Sequence, residues 1–186
     1  MKNILFATQA VIEKNMMKRE EYLSKMKEYI TSLKGLDIKI TIKLHPQEKL
    51  IDEYKKIVKE TGINAIVVQS GSKHFLEELI ESADIVMTFK SSVLIMAMLM
   101  KKPVISIDML DKIHDLNDYY FSEKEDNAVL KTNGKDVRKK VNKLLNDKKF
   151  KNKIVQRQSN YIKDYFFRVD GLAYRRIADV IERLVN

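Results

Sequence analysis

Residues 82–108 read SADIVMTFKSSVLIMAMLMKKPVISID, and this stretch decides how the rest of the chain is understood. Asp84–Thr88 and Pro103–Ile107 are short, continuous apolar runs rich in β-branched residues. Such runs fit strands buried on both faces, as in a parallel sheet. Between them Val93–Met100 is apolar throughout, follows the polar turn Lys90-Ser91-Ser92 and stops at Lys101-Lys102, which predicts a short buried helix. The unit is strand, helix, strand, and its two strands are expected side by side through a right-handed crossover.

The same alternation continues upstream. Ile4–Ala7 predicts a strand, and Arg19–Leu33 a helix with Tyr22, Leu23, Met26, Tyr29, Ile30 and Leu33 at helical spacing. Ile38–Leu44 predicts a strand, Leu50–Glu60 a helix, Ala65–Val68 a strand and Phe75–Ser82 a helix. Downstream, Asp111–Asp126 reads as a long polar and aromatic loop, Ala128–Leu130 as a short last strand and Asn133-Gly134 as a turn. Helices are expected at Lys135–Leu145, Lys151–Tyr165 and Gly171–Leu184. The fold class is therefore α/β: a doubly wound, Rossmann-like parallel sheet with a helical C-terminal extension. A length of 186 residues suits one domain, with the sheet and crossover helices in 1–132 and the C-terminal helices in 133–186.

Composition narrows the function classes. The chain is 45% hydrophobic and 33% charged, which is ordinary for a globular protein and excludes disorder. No apolar run reaches the roughly 20 residues of a bilayer span, and the N-terminus lacks the pattern of a signal peptide, so a cytoplasmic location is expected. Without cysteine there is no disulfide, no thiolate zinc site and no cysteine nucleophile. The net charge of +9 is concentrated late, in Arg138, Lys139, Lys140, Lys143, Lys148, Lys149, Lys151, Lys153 and Arg157. These residues read either as a solvated helix face or as a surface for anionic lipid or another polyanion. The regular aromatic interleaving of a single-strand binder is missing, so nucleic acid is not an expected partner.

Ligands of an open parallel sheet bind beyond the carboxyl ends of its strands. Thr8-Gln9 follow the first strand, His45-Pro46 the second, Ser70-Gly71-Ser72 the third, Lys90-Ser91-Ser92 the fourth and Asp108 the fifth. Hydroxyls, an amide, an imidazole and an ammonium on one edge favour an anion, most simply phosphate. Two of the groups precede helices, whose free N–H groups and positive dipole end bind phosphate. The serines can equally be plain helix caps, an alternative that weighs more for Ser70 and Ser72 than for the doubled Ser91-Ser92. His45 is the histidine placed at a strand end, where Pro46 keeps it out of the helical region and steadies the ring. It could donate to phosphate, act as a general acid or simply be structural. His74 and His114 read as surface residues. No G-x-G-x-x-G, G-x-x-x-x-G-K-[ST] or G-x-S-x-G motif and no metal-spaced cluster is present, so no metal and no tightly bound cofactor is expected.

The order "ILFATQ", "IKLHP", "SADIVMTFKSSVLIMAMLMKKPVISID" and "DGLAYRRIADVIERL" resembles the C-terminal domain of GT-B fold transferases. Within that group it is similar to the CDP-glycerol:polyglycerophosphate transferases and to the capsule and sialic acid transferases with HP and Ser-Ser motifs. The likeness runs from Asn3 to about Asp108 and returns at Asp170–Leu184. It implies a nucleotide-activated donor, CDP- or CMP-linked in preference to UDP-linked, whose phosphate meets His45 and Ser91-Ser92. Ser70–Ser72 would border the base. It also implies an N-terminal GT-B domain supplied in cis or in trans, and a site of polymer synthesis that could bring the basic helices to anionic membrane.

Three positions depart from the pattern. Phe89 and Lys90 stand where the glycerophosphotransferases carry an acidic and an aromatic residue, and Met96 stands where many GT-B enzymes carry a ribose-binding Glu. Lys90 would then be an extra phosphate contact. The reading is a donor-binding domain of a glycosyltransferase or glycerophosphotransferase for a cell-surface polymer. The alternatives are a relative of the UDP-N-acetylglucosamine 2-epimerases and a non-catalytic nucleotide-binding or interaction module.

Overall fold

Ile4, Leu5, Phe6 and Ala7 are each at most 3% exposed, so the strand they form is covered on both faces. This strand, β1 (Lys2–Ala7), is the middle of the sheet. The computed structural model describes residues 1–69, 71, 75–109, 128–132, 134–166 and 168–185. Five further strands are β2 (Ile38–Lys43), β3 (Ala65–Val68), β4 (Ile85–Thr88), β5 (Val104–Ile107) and β6 (Leu130–Thr132). They lie in the order β3-β2-β1-β4-β5-β6 and every pair is parallel. Ile4 pairs with Ile40 on one side and with Ile85 on the other. The winding therefore reverses between β1 and β4, and such a switch point opens a crevice at the carboxyl edge.

Helices dress both faces. On one face α1 (Arg19–Ser32), α2 (Ile51–Thr61) and α5 (Val137–Asn146) bury Tyr22, Met26, Ile30, Tyr54, Val137 and Val141 against Ile4, Phe6, Ile40 and Ile42. On the other, α3 (Leu76–Ser82) and α4 (Ser92–Leu99) bury Ile80, Leu94, Ala97 and Met98 against Leu5, Val86 and Val104. Gly62 ends α2 in the left-handed conformation, at φ 64°, where a side chain would be strained. These features match the doubly wound fold expected from the sequence.

The long helix α6 (Lys148–Tyr165) belongs to both layers, with Ile154 in the first and Tyr161 and Ile162 in the second. Its buried Gln158 donates to the Lys102 carbonyl and accepts from the Val104 N–H, both at 3.0 Å. This places α6 across the amino end of β5, opposite the edge where a ligand would sit. Asp147 caps α6 by accepting from the Phe150 N–H at 2.9 Å, and the helix begins at Lys148 rather than at Lys151 as the spacing suggests. The last strand is likewise displaced, to Leu130–Thr132 from the expected Ala128–Leu130. Its register is set by pairing with Ile105–Ile107, while Ala128 and Val129 are buried without joining the ladder. The expected loop at 111–126, Ser70, Ser72, His74, His114 and Asn133 lie outside the described residues.

The final helix, α7 (Ala173–Val185), buries none of its residues. Ile177, Val180, Ile181 and Leu184 follow the i, i+3, i+4, i+7 spacing of one helical stripe, yet each is at least 55% exposed. With Phe166 and Arg168 the start of this stripe lines a groove of about 540 Å³. The GT-B resemblance implies that the helix from Gly171 packs back onto the domain; the structure instead leaves it without a buried residue. Among the described residues no helix is long and apolar enough to cross a membrane.

Two stability outcomes follow from this packing. Gly134 has φ 98°, and a Cβ there would overlap the Tyr29 ring. Gly134→Ala should destabilise the chain by about 2–4 kcal/mol in urea unfolding. Ile181→Ser should leave the same measurement within about 0.5 kcal/mol, because the residue is 55% exposed and lies outside the core.

Candidate functional site

All six strands run the same way, so the residues that follow them share one edge. β1 delivers Thr8 and Gln9. The Thr8 N–H donates to the Lys43 carbonyl at 2.9 Å, tying this end to β2. The Gln9 side-chain amide donates to the Lys90 carbonyl, tying it to the turn after β4. Thr8-Gln9 is thus the strap between the His45 turn and the Lys90–Ser92 turn.

Behind the His45 turn lies a buried carboxylate. Glu48 is 1% exposed and is held by four donors from four parts of the chain. The Thr8 hydroxyl donates to Oε2, as does the His45 backbone N–H at 3.2 Å. The hydroxyls of Tyr22 on α1 and Tyr54 on α2 donate to Oε1 at 3.2 and 3.1 Å and lie 2.8 Å from each other. The Glu48 N–H donates back to the His45 carbonyl at 2.9 Å, closing the turn. Burial raises the Glu48 carboxyl above its ordinary value, and the bonds from Thr8, the His45 N–H, Tyr54 and Tyr22 pull it down. Burial also keeps both phenols protonated, hence donors. A buried, unpaired carboxylate would cost several kcal/mol, a penalty these bonds largely offset.

His45 itself is half-buried. Its Nδ1 accepts from the Gln47 N–H at 3.2 Å, which puts the ring proton on Nε2. Burial lowers its pKa from 6.5, Lys14 and Lys43 push the same way, and Glu13 opposes them. The ring is therefore neutral near pH 7 and has one N–H to offer. Lys43 is 8% exposed, and its ammonium donates to the Leu44 carbonyl at 3.0 Å. Burial lowers its pKa, and Glu48 raises it.

The turn after β4 leads into α4. Ser91 is the N-cap, with extended backbone and a hydroxyl that accepts from the Val93 N–H at 3.3 Å. Ser92, exposed, is the first helical residue. The first turn of α4 carries no acidic residue, so the helix itself brings no negative charge to its positive dipole end. By contrast, α3 has Glu77 and Glu78 in its first turn and Phe75 as its N-cap, with no side-chain cap. Gly71 is exposed at φ 84°. Of the two helix starts considered as phosphate sites, α4 is the one electrostatically suited to an anion. Beneath it Thr88, fully buried at the end of β4, has a hydroxyl without a hydrogen-bond partner among the described residues.

The structure thus links Thr8, Gln9, His45 and Lys90 by hydrogen bonds, directly or through Glu48, and sets Ser91 and Ser92 one turn on. Ser91 works as a cap, so the doubled serine is one cap and one exposed hydroxyl. Glu48, Tyr22, Tyr54 and Lys43 were not singled out from the sequence. The one available signal was a Glu three residues after His45, inside a turn. Tyr22 reads correctly as a core position, but periodicity does not reveal that its hydroxyl converges with that of Tyr54. Among the described residues no three His, Asp or Glu side chains gather as a metal site would require.

No family model and no curated protein matches this chain. Solved structures do. MnaA of S. aureus, solved with UDP, is 16% identical over 100% of this chain and 46% of its own, with a TM-score of 0.66. The wall teichoic acid polymerase TagF, solved also with CDPG, is 16% identical over 98% of this chain and 43% of its own, TM-score 0.62. The C-terminal domain of the glycosyl transferase group 1 family protein LpcC from Francisella tularensis is 16% identical over 91% of this chain and 87% of its own, TM-score 0.57. The chain spans less than half the length of the first two and most of the third. At such identities the likeness is one of fold: the six-stranded parallel sheet with helices on both faces is the Rossmann-like domain of the GT-B architecture.

Proposed function

We propose that this chain is the nucleotide-donor-binding domain of a glycosyltransferase or glycerophosphotransferase that builds a cell-surface polymer. The observation that carries the reading is the carboxyl edge of the sheet. There a helix N-terminus with Ser91 and Ser92 and no acidic residue in its first turn is strapped by Gln9 to the strand end that also holds the His45 turn. The arrangement suits the phosphates of a nucleotide donor. Cleaving the donor bond would build negative charge on the departing nucleotide. The positive dipole end of α4, the Ser92 hydroxyl, Lys90 and the Nε2–H of His45 would meet that charge with dipoles and a cation already in place. A neutral imidazole with a lowered pKa serves better as a hydrogen-bond donor to the leaving phosphate than as a strong proton donor. Thr8 and Gln9 act mainly by holding the edge together, and Gly71 marks the rim toward the base. A cytidine donor is preferred on the HP and Ser-Ser resemblance, and the TagF likeness with CDPG is consistent with it. An epimerase-like chain, favoured by the likeness to UDP-bound MnaA, would prefer UDP.

The acceptor would be held elsewhere. The bare apolar stripe of α7 is where a second GT-B domain, in cis or in trans, would pack. The basic residues of α5 and α6, Lys139 to Arg157, would give the assembly a face for anionic membrane.

Calorimetric titration with CDP, CMP and UDP tests the reading. The chain should bind a cytidine nucleotide, and replacing Ser91 and Ser92 by Ala should weaken binding by about 1–3 kcal/mol. His45→Ala should do the same with an unchanged melting temperature. Preference for UDP would support the epimerase-like alternative, and binding of none of the three would overturn nucleotide recognition in favour of an interaction module.

The state of His45 gives a separate check. By side-chain ¹⁵N NMR it should carry its proton on Nε2 at pH 7 and titrate below 6.5. The folded ring binds fewer protons than the unfolded one as the pH drops below the unfolded value. Its contribution to stability is therefore complete above about 6.5 and fades on acidification toward the folded pKa.

A further inference from the structure

Closing the turn 45–48 needs one acceptor for the His45 N–H, and a residue at position 48 could meet that need at the surface. Glu48 is instead fully buried and spends its second oxygen on two phenols from different helices. The hydrogens show where the load of this cluster goes. Tyr22, Tyr54 and Thr8 have one hydroxyl hydrogen each, yet Thr8 also lies 3.2 Å from the Lys43 carbonyl and Tyr22 lies 3.4 Å from the Gln9 carbonyl. Both extra contacts lead to the strand ends of the site. From Thr8 the connection is covalent to Gln9, whose amide donates to the Lys90 carbonyl, one residue before the Ser91 cap.

We propose that Glu48 is a positioning residue. It fixes the His45 turn directly and, through the Thr8-Gln9 strap, the Lys90–Ser92 turn, so that one buried carboxylate sets the relative geometry of the two anion-gripping turns. This rests on the nucleotide-binding reading for its purpose, but the coupling itself does not. A purely structural Glu48 would affect stability and the local turn. A positioning Glu48 also moves the backbone of Lys90–Ser92 after β4, which supplies none of its four hydrogen bonds. The chemistry further predicts which replacement rescues. Glutamine can turn its oxygen toward Thr8 and the His45 N–H and its amide hydrogens toward the phenols, which accept as well as donate. Alanine supplies neither.

The test is backbone amide NMR on the nucleotide-free chain, followed by CDP titration. Glu48→Ala should shift the amides of His45 and of Lys90, Ser91 and Ser92, and Glu48→Gln should restore both sets. Gln9→Ala should shift Lys90–Ser92 and leave His45 in place. CDP affinity should fall about tenfold in Glu48→Ala and recover in Glu48→Gln. A folded Glu48→Ala whose Lys90–Ser92 amides match the wild type overturns the proposal. If Glu48→Ala does not fold, Thr8→Val removes the hydroxyl through which Glu48 holds the strap with little change of volume, and unmoved Lys90–Ser92 amides in that variant overturn it equally. A wild-type chain that binds no nucleotide would refute the proposed function while the amide shifts still decide the coupling.

Discussion

The architecture depends on the parallel pairing of β1 with a strand on each side. Because β2 and β4 flank it in the same direction, every strand ends at the same edge and every crossover must pass over a face. Two consequences arise together. The strands become buried on both sides, which explains their continuous apolar sequence. The turns after them are gathered in one row, which explains why polar residues at 8, 9, 45 and 90–92 are near neighbours in space and far apart in the chain.

The two edges of the sheet are treated differently. The amino edge near β5 is sealed by α6, where Gln158 takes up a carbonyl and an N–H that would otherwise be buried without partners. At the carboxyl edge polar atoms are instead committed to one another through Glu48, Thr8 and Gln9. A domain built in this way spends its rigidity behind this edge and leaves the imidazole Nε2–H, the positive end of the α4 dipole and the exposed Ser92 in front of it.

What could be read from the sequence followed physical rules of short range. The strands at 4–7 and 104–107 and the helix at 92–99 were legible because burial on both faces or all round leaves a continuous apolar signature. The edge strand was misplaced by two residues because Ala128 and Val129 are apolar for a different reason, packing without pairing, while the paired Lys131 and Thr132 look like loop. The start of α6 was missed because Asp147 is an ordinary residue until its carboxylate is seen capping Phe150. His45, Lys90 and Ser91-Ser92 were accessible through the rule that ligands meet strand ends. Glu48 was not, since its importance lies in four partners drawn from residues 8, 22, 45 and 54. No local pattern encodes such a convergence. The exposure of α7 was hidden too, because an amphipathic stripe reads the same whether it is covered by its own domain or by another.

The position of α6 has a bearing on how the molecule comes apart. Its amino-terminal part is anchored in one hydrophobic layer and its carboxyl-terminal part in the other, and it touches both α4 and α5. Peeling the helices from either side of the sheet would tear this element from both at once. The two layers are therefore expected to melt as a single cooperative block, with amide hydrogens in β1 and β5 exchanging only when the entire domain opens.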